Sequence, residues 1–300
     1  MTALLLPLHL GLHGSGPVTL VLLGCGVAAL LVLACCYLCG LVRVLRHPGR
    51  RRHLLRALAL AAAAVSVLVV TLPPLGEVLE ERLSTHMVQH LVLIMVAAPL
   101  LAVAAPGQVL LAGAPPRLRR EVVSRLHRTP SLGLLTPHVA WVAHLGALWL
   151  WHLPASYDAA VRSPVVHVLE HATFLLTAWL FWWHLATVTR RRLRGPAAAA
   201  YVAAAIPPGA ALGAVLTFPD HPLYPDQARA AVASGIDPLL DQRIGGLVMW
   251  IPLDFAYLAL AIWLFGRWLA RLTPATDSPD LPDLPADARP VAPAPVEAAR

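Results

Sequence analysis

Seven apolar runs punctuate the chain, each about as long as the ~20 residues a helix needs to cross a bilayer. They are Pro17–Val42, Leu54–Leu72, His86–Ala105, Leu132–Trp151, Val165–Val188, Ala197–Phe218 and Ile244–Trp268. A polypeptide crossing hydrocarbon must satisfy its own backbone, so the runs predict an all-α, polytopic bundle of seven transmembrane helices. Pro99 falls in the third run, and Pro207 and Pro208 in the sixth, which predicts kinks or broken turns there.

The segments between the runs alternate in charge. The first loop holds Arg43, Arg46, Arg50, Arg51 and Arg52; the third holds Arg117, Arg119, Arg120, Arg125 and Arg128; the fifth holds Arg190, Arg191, Arg192 and Arg194. Arg267 and Arg271 close the last run. The second, fourth and sixth loops carry few arginines and most of the acids. By the positive-inside rule the N-terminus is outside and the C-terminus cytoplasmic, in the bacterial inner (cell) membrane. Residues 1–16 read as a short external segment, with no basic region or cleavage site of a signal peptide. Residues 17–272 read as the membrane domain. Residues 273–300, rich in Pro, Ala and Asp, bury too little apolar surface to fold and read as a disordered tail.

Composition agrees: 58% of the 300 residues are hydrophobic and only 13% charged. The net charge of +7 belongs to loops beside apolar runs, so it reports topology and not nucleic-acid binding. Every basic side chain is Arg. Without a lysine there is no retinal Schiff base, whatever the helix count. No internal repeat marks an inverted-repeat transporter.

The polar residues that call for explanation are histidines. His86/His90 and His167/His171 sit at the outer starts of the third and fifth runs. Residues four apart share a helix face, about 5–6 Å between Cβ atoms, so each pair can converge on one metal ion. Met87 lies about 100° around the helix from His86, within reach of a modest rotation. Imidazole with thioether suits copper. Glu170 lies on the side of its own pair and reads as an acceptor that orients one imidazole. The alternative for all four is an interfacial histidine bonded to loops or headgroups. His152 ends the fourth run at the same outer level. His144 lies about 12 Å deeper, and reads either as part of a path inward or as a satisfied buried group. His9, His13 and His221 are external; His47, His53, His127, His138 and His184 belong to the inner side and read as interfacial anchors.

Other polar residues are less specific. Tyr157, Asp158, Asp220, Tyr224, Asp226, Asp237, Asp241 and Gln242 read as external and mostly solvated. Asp254 lies inside the last run and needs a partner there. Cys35, Cys36 and Cys39 (with Cys25) lie in the first run, where small cysteines are usually packing residues.

Several strings together resemble a known family: THMVQHLVLIMVAAPLLAVAAPG, WHLPASYDAAVRSPVVHVLEHATFLLTAWLFWWHL, PLYPDQA and DPLLDQRIGGLVMWIP. They are similar to the CtaG family of polytopic bacterial assembly factors for the caa-type, haem–copper cytochrome c oxidase. The resemblance runs from the second apolar run through the seventh and leaves the first run and the tail outside. It implies a protein that matures the oxidase without being an enzyme, with oxidase subunits and the lipid bilayer as partners.

On this reading His86, His90, His167 and His171 ligate copper, with His152 and Met87 as secondary ligands. Glu170, His144, Tyr157 and Asp158 form the supporting shell. Three competitors stand beside it. A haem-binding electron carrier also uses facing imidazoles, but wants one histidine per helix and room for a macrocycle. The string His167-Val168-Leu169-Glu170-His171 matches an inverted zinc-protease signature, in which Glu170 would be the base. A copper transporter would need polar groups continuing through the bundle.

Overall fold

The computed structural model describes residue 32 and residues 35–46, 50–128, 136–186 and 193–272. The expected external segment, the tail, most of the first run and the arginines at 190–192 lie outside these residues, as do Cys25, His9, His13 and His47.

The described residues form helices and no strand. In chain order they are α1 (Cys35–Leu45), α2 (Arg50–Thr71), α3 (Leu75–Glu80), α4 (Leu83–Ala104), α5 (Pro106–Gly113), α6 (Pro116–Arg128), α7 (Pro137–Trp151), α8 (Pro154–Arg162), α9 (Pro164–Ala186), α10 (Pro196–Thr217), α11 (Pro225–Ala233) and α12 (Pro238–Leu269). Five of them, α2, α4, α9, α10 and α12, are long and apolar enough to cross a membrane. The chain is therefore an all-helical membrane protein. The other two expected spans are only partly described. α1 is the end of the first run, and α7 has 15 residues, about 22 Å, short of a hydrocarbon core of ~30 Å.

α4 is the central helix. Half of its most apolar stretch is buried inside the bundle, against 11% for α2. α2 buries only Ala63 and Val70 and presents Leu54, Leu58, Val65 and Leu68 outward, as a lipid-facing helix does. α12 packs along both α4 and α10, and α9 packs against α7 and the second half of α4. Gly245 and Gly246 permit the approach of α12 on both sides. A Cβ on Gly245 would lie 2.5 Å from Leu83 Cδ2; one on Gly246 would lie 2.5 Å from Thr217 Oγ1 and 2.9 Å from Leu216 Cβ.

Prolines set the local irregularities, and side chains repair them. Pro99 has no N–H, and the turn before it, Leu93–Ala97, widens to a π-helix. The Ile94 carbonyl, whose π-type partner would be Pro99, accepts instead from the Trp182 indole of α9 at 3.0 Å. At the end of α2, Val70 would bond the N–H that Pro74 lacks. The Gln89 amide donates to Val70 O at 2.8 Å and to Gly76 O at 3.2 Å. α10 breaks at Ala204–Ala205, before Pro207 and Pro208. In a bilayer such freed carbonyls need protein partners, because no water supplies them.

α3, α8 and α11 are short and pack over one end of the bundle, against α2 and α4, against α9, and against α8 and α12 respectively. The residues expected to be solvated there are built in. Asp241, in the first turn of α12, is buried and accepts from Leu83 N at 2.8 Å, from Ser84 N at 3.3 Å and from the Ser84 hydroxyl. Gln242 accepts from Leu223 N at 2.7 Å and donates to Leu216 O at 3.1 Å. Tyr224 is buried, Asp226 pairs with Arg162 and Arg229, and Asp237 caps α12. The expectation of solvated loops fails for Tyr157, Asp158, Tyr224, Asp241 and Gln242, because this end is a packed cap, while Asp220 and Asp237 are exposed as expected. His184, expected at an interface, is likewise buried, beside Trp183 and Tyr201. Asp254 has a partner, as its place in the run requires, and it is the Trp250 indole at 2.8 Å, not a hydroxyl or histidine.

Candidate metal centre

The two histidine pairs face each other. His86 and His90 project from the first two turns of α4, His167 and His171 from the first two turns of α9. Within each pair the rings are 4.4 Å and 4.3 Å apart, centroid to centroid. Across the interface His86 lies 5.1 Å from His167 and 5.7 Å from His171, and His90 lies 5.3 Å from His171.

Glu170 stands between them with a role the sequence did not suggest. Its Oε2 is 3.7 Å from His86 Nε2 and its Oε1 is 3.5 Å from His90 Nε2, across the interface. Neither contact is a hydrogen bond at that length. Ligand atoms of His86, His90, Glu170 and His171 all lie within 4.8 Å of one another. Tetrahedral donors at about 2.0–2.1 Å from a metal sit about 3.3 Å apart, so side-chain rotations close this set on an ion.

The polar accounting is what singles out the cluster. His86 Nε2, both nitrogens of His90, both oxygens of Glu170 and His171 Nε2 are buried without a hydrogen-bond partner. Buried polar atoms in native proteins are almost always paired, and a carboxylate with neither oxygen bonded is costly. A cation among them would take one atom from each of the four side chains and leave the second nitrogen of His90 still to be partnered. The rings touch one another directly, which makes a point-sized donor set and not a slot for a macrocycle.

His167 sits one layer outward. Its ring stacks on His86 at 27°, and its Nδ1 is 3.6 Å from a carboxylate oxygen of Glu80, which is itself half-exposed. It is thus placed beside the four-donor group and not within it. A cavity of about 100 Å³ meets His86 and His167 and is also lined by Glu80, Tyr157 and Gln227.

The remaining expected residues are placed as follows. Tyr157 is buried, its ring 5.6 Å from His86 and 4.3 Å from Tyr224. Asp158 is buried on the same short helix; burial first, and then the Asp226 carboxylate, raises its carboxyl above the usual range. His152 Nε2 lies 3.3 Å from Met87 Sδ, so Met87 turns toward α7 and not toward the two pairs. His144 is fully buried, 3.4 Å from the Tyr257 hydroxyl and against Phe181. That is a core position, and it does not continue the outer cluster inward. Cys35 and Cys39 are exposed on α1 and Cys36 is half-buried there.

Comparison with known families supplies the context. The sequence model described as cytochrome c oxidase caa3 assembly factor matches residues 35–271. The chain belongs to that family. The match starts at Cys35, so the end of the first apolar run belongs to the family region, which the reading from sequence had left outside. Both histidine pairs, Glu170, His152 and Met87 fall within it. Comparison with curated proteins and with solved structures returns no match. This member of the family is accordingly a cytochrome c oxidase assembly factor and a partner of that enzyme.

Proposed function

We propose that this assembly factor binds copper between α4 and α9 and passes it to the oxidase during maturation. The observation that carries the reading is the set of unpartnered buried atoms on His86, His90, Glu170 and His171. Three imidazoles and one carboxylate form a borderline set that suits copper or zinc equally. Copper is favoured by the destination, since the oxidase implied by the resemblance is a haem–copper enzyme. The cavity at His86 and His167 supplies a route for the ion, and Glu80 at its rim adds a cation-attracting carboxylate.

The proposed topology has seven spans, with the N-terminus outside and the C-terminus in the cytoplasm of a bacterial cell. It sets the cluster at the outer leaflet, at the depth from which an ion can pass sideways into a membrane partner. The protein acts by ligand exchange and not by turnover, so no residue is assigned a catalytic role.

The test is the metal content of detergent-purified protein after copper loading. Wild type is compared with a His86→Ala/His90→Ala/Glu170→Gln/His171→Ala variant, with oxidase activity measured in cells carrying each. The expected result is bound copper in wild type, its loss in the variant, and loss of oxidase activity while the variant still inserts. Copper retained by the variant, or normal oxidase maturation with it, overturns the reading.

A further inference from the structure

Met87 and His152 make a contact that ordinary hydrogen bonding does not explain. His152 follows α7 directly, and its Nδ1 lies 2.7 Å from the Leu148 carbonyl. A carbonyl oxygen only accepts, so Nδ1 carries the proton. In the neutral ring Nε2 is then a bare lone pair. That lone pair faces Met87 Sδ at 3.3 Å. A thioether has lone pairs and no hydrogen to give. Two acceptors therefore point at each other with no hydrogen between them. The site is interior: Met87 is 0% exposed and His152 is 5% exposed.

The geometry is held from several sides. The Tyr224 hydroxyl donates to the His152 carbonyl at 2.9 Å and fixes the end of α7. Gly245 leaves room for Met87; a Cβ there would come within 3.3 Å of Met87 Cγ. Met87 and His90 are three apart on α4, and the His90 ring lies 5.8 Å from that of His152. Phe174 lines this side, 4.5 Å from His90 and 6.0 Å from His152.

An imidazole nitrogen and a thioether sulfur 3.3 Å apart are spaced as two ligands of one ion. With about 2.0 Å to nitrogen and about 2.3 Å to sulfur, that separation subtends about 100°, near the tetrahedral angle. The donor pair is softer than the imidazole–carboxylate set beside it, and soft thioether ligands select Cu(I).

We propose that Met87 and His152 form a second metal position, specific for Cu(I), next to the His86/His90/Glu170/His171 cluster. His90, with both nitrogens unpartnered, stands between the two and links them. The soft position stands on its own geometry; its use as a stage in copper transfer rests on the function proposed above.

Ag(I) is the probe for the soft position, because it is a stable monovalent analogue of Cu(I). It is titrated into detergent-purified full-length protein in which Cys25, Cys35, Cys36 and Cys39 are replaced by Ala, so that thiolates do not compete. Cu(I) affinity is measured alongside by competition with a colorimetric chelator. Met87→Leu keeps the volume of the side chain, and His152→Asn keeps a donor for Leu148. Each should lose one equivalent of Ag(I) and weaken Cu(I) binding at least tenfold, while Cu(II) loading of the cluster stays at the parent level. A His86→Ala/His171→Ala variant should keep that Ag(I) equivalent and lose Cu(II). If Met87→Leu and His152→Asn both match the parent in Ag(I) stoichiometry, the soft position is wrong and the cluster is untouched. If they lose silver while the cluster variant keeps Cu(II), the soft position stands and the cluster reading falls.

Discussion

Asp241→Ala removes the cap of the helix that carries His86, Met87 and His90, and it does so from another helix. Arg82 stands at the N-cap of α4 and offers no side-chain bond. The first two N–H groups of α4, on Leu83 and Ser84, turn instead to the Asp241 carboxylate. An ordinary N-cap replaced by alanine costs about 1 kcal/mol. Here the bond to Leu83 is buried and its acceptor charged, and a hydrogen bond to a charged group is worth about 1.5–3 kcal/mol. Ser84 N lies in a half-buried setting where water recovers part of the loss.

The sum for Asp241→Ala is about 2–4 kcal/mol of stability, less than the three bonds added singly because the groups share one carboxylate. Asp241→Asn keeps one accepting oxygen and turns an NH2 toward a donor, so it should cost about half as much. Reversible unfolding in mixed micelles, followed by circular dichroism, measures both. A loss in Asp241→Ala within about 0.5 kcal/mol of wild type, the scatter of a neutral surface change, refutes the cap.

Two further outcomes follow from the packing and the charges. Gly246→Ala should lower stability by about 1–3 kcal/mol in the same assay, because the new methyl meets Leu216 Cβ and Thr217; helix propensity alone would raise it by up to about 1 kcal/mol, so a gain refutes the close approach. Asp158 has its carboxyl raised by burial and by Asp226, so its contribution to stability is present below the unfolded value of about 3.9 and is lost as pH rises through the native value. Asp158→Asn should therefore gain on wild type in melting temperature as pH rises above about 4, and a difference that is flat or falls with pH contradicts this origin of the shift.

Local signals carried the elements, and long-range signals were needed for the site. The second, third, fifth, sixth and seventh runs lie within a few residues of α2, α4, α9, α10 and α12, because apolar length is a local property. Pro99 announced an irregular turn in α4, and Pro207 and Pro208 the break in α10, because a missing N–H is also local. Spacing four apart found both histidine pairs. Glu170 reads from sequence as an orienting group, since helix periodicity shows only that it lies on the side of its own pair. That it reaches across to His86 and His90 depends on how α9 is rotated against α4, which no spacing encodes. Asp241, Gln242 and Tyr224 read as loop residues for the same reason. Their partners are 158, 19 and 72 positions away in the chain. One trace was present: a helix opening on Leu83 with Arg82 before it has no cap of its own, and so needs an acceptor from elsewhere.

The string His86-Met87-Val88-Gln89-His90 has its meaning in how a helix distributes successive side chains. At about 100° per residue, five residues look in all directions from one turn and a half. His86 and His90 meet Glu170 and His171 on α9. Met87 meets His152 at the end of α7. Gln89 holds the carbonyl that Pro74 leaves free at the end of α2, and the Gly76 carbonyl in α3. Such a turn belongs on the most buried helix, because only there do neighbours stand on every side. The tethers by Gln89, Asp241 and, further along, Trp182 fix the rotation of α4 by bonds to four different helices. Donor atoms on α4 and α9 can then be held close without bonding one another. Left to itself, a pair of helices would rotate until His90 and Glu170 found hydrogen-bond partners. The fold prevents that relaxation, and its stability is what keeps these buried atoms unpartnered.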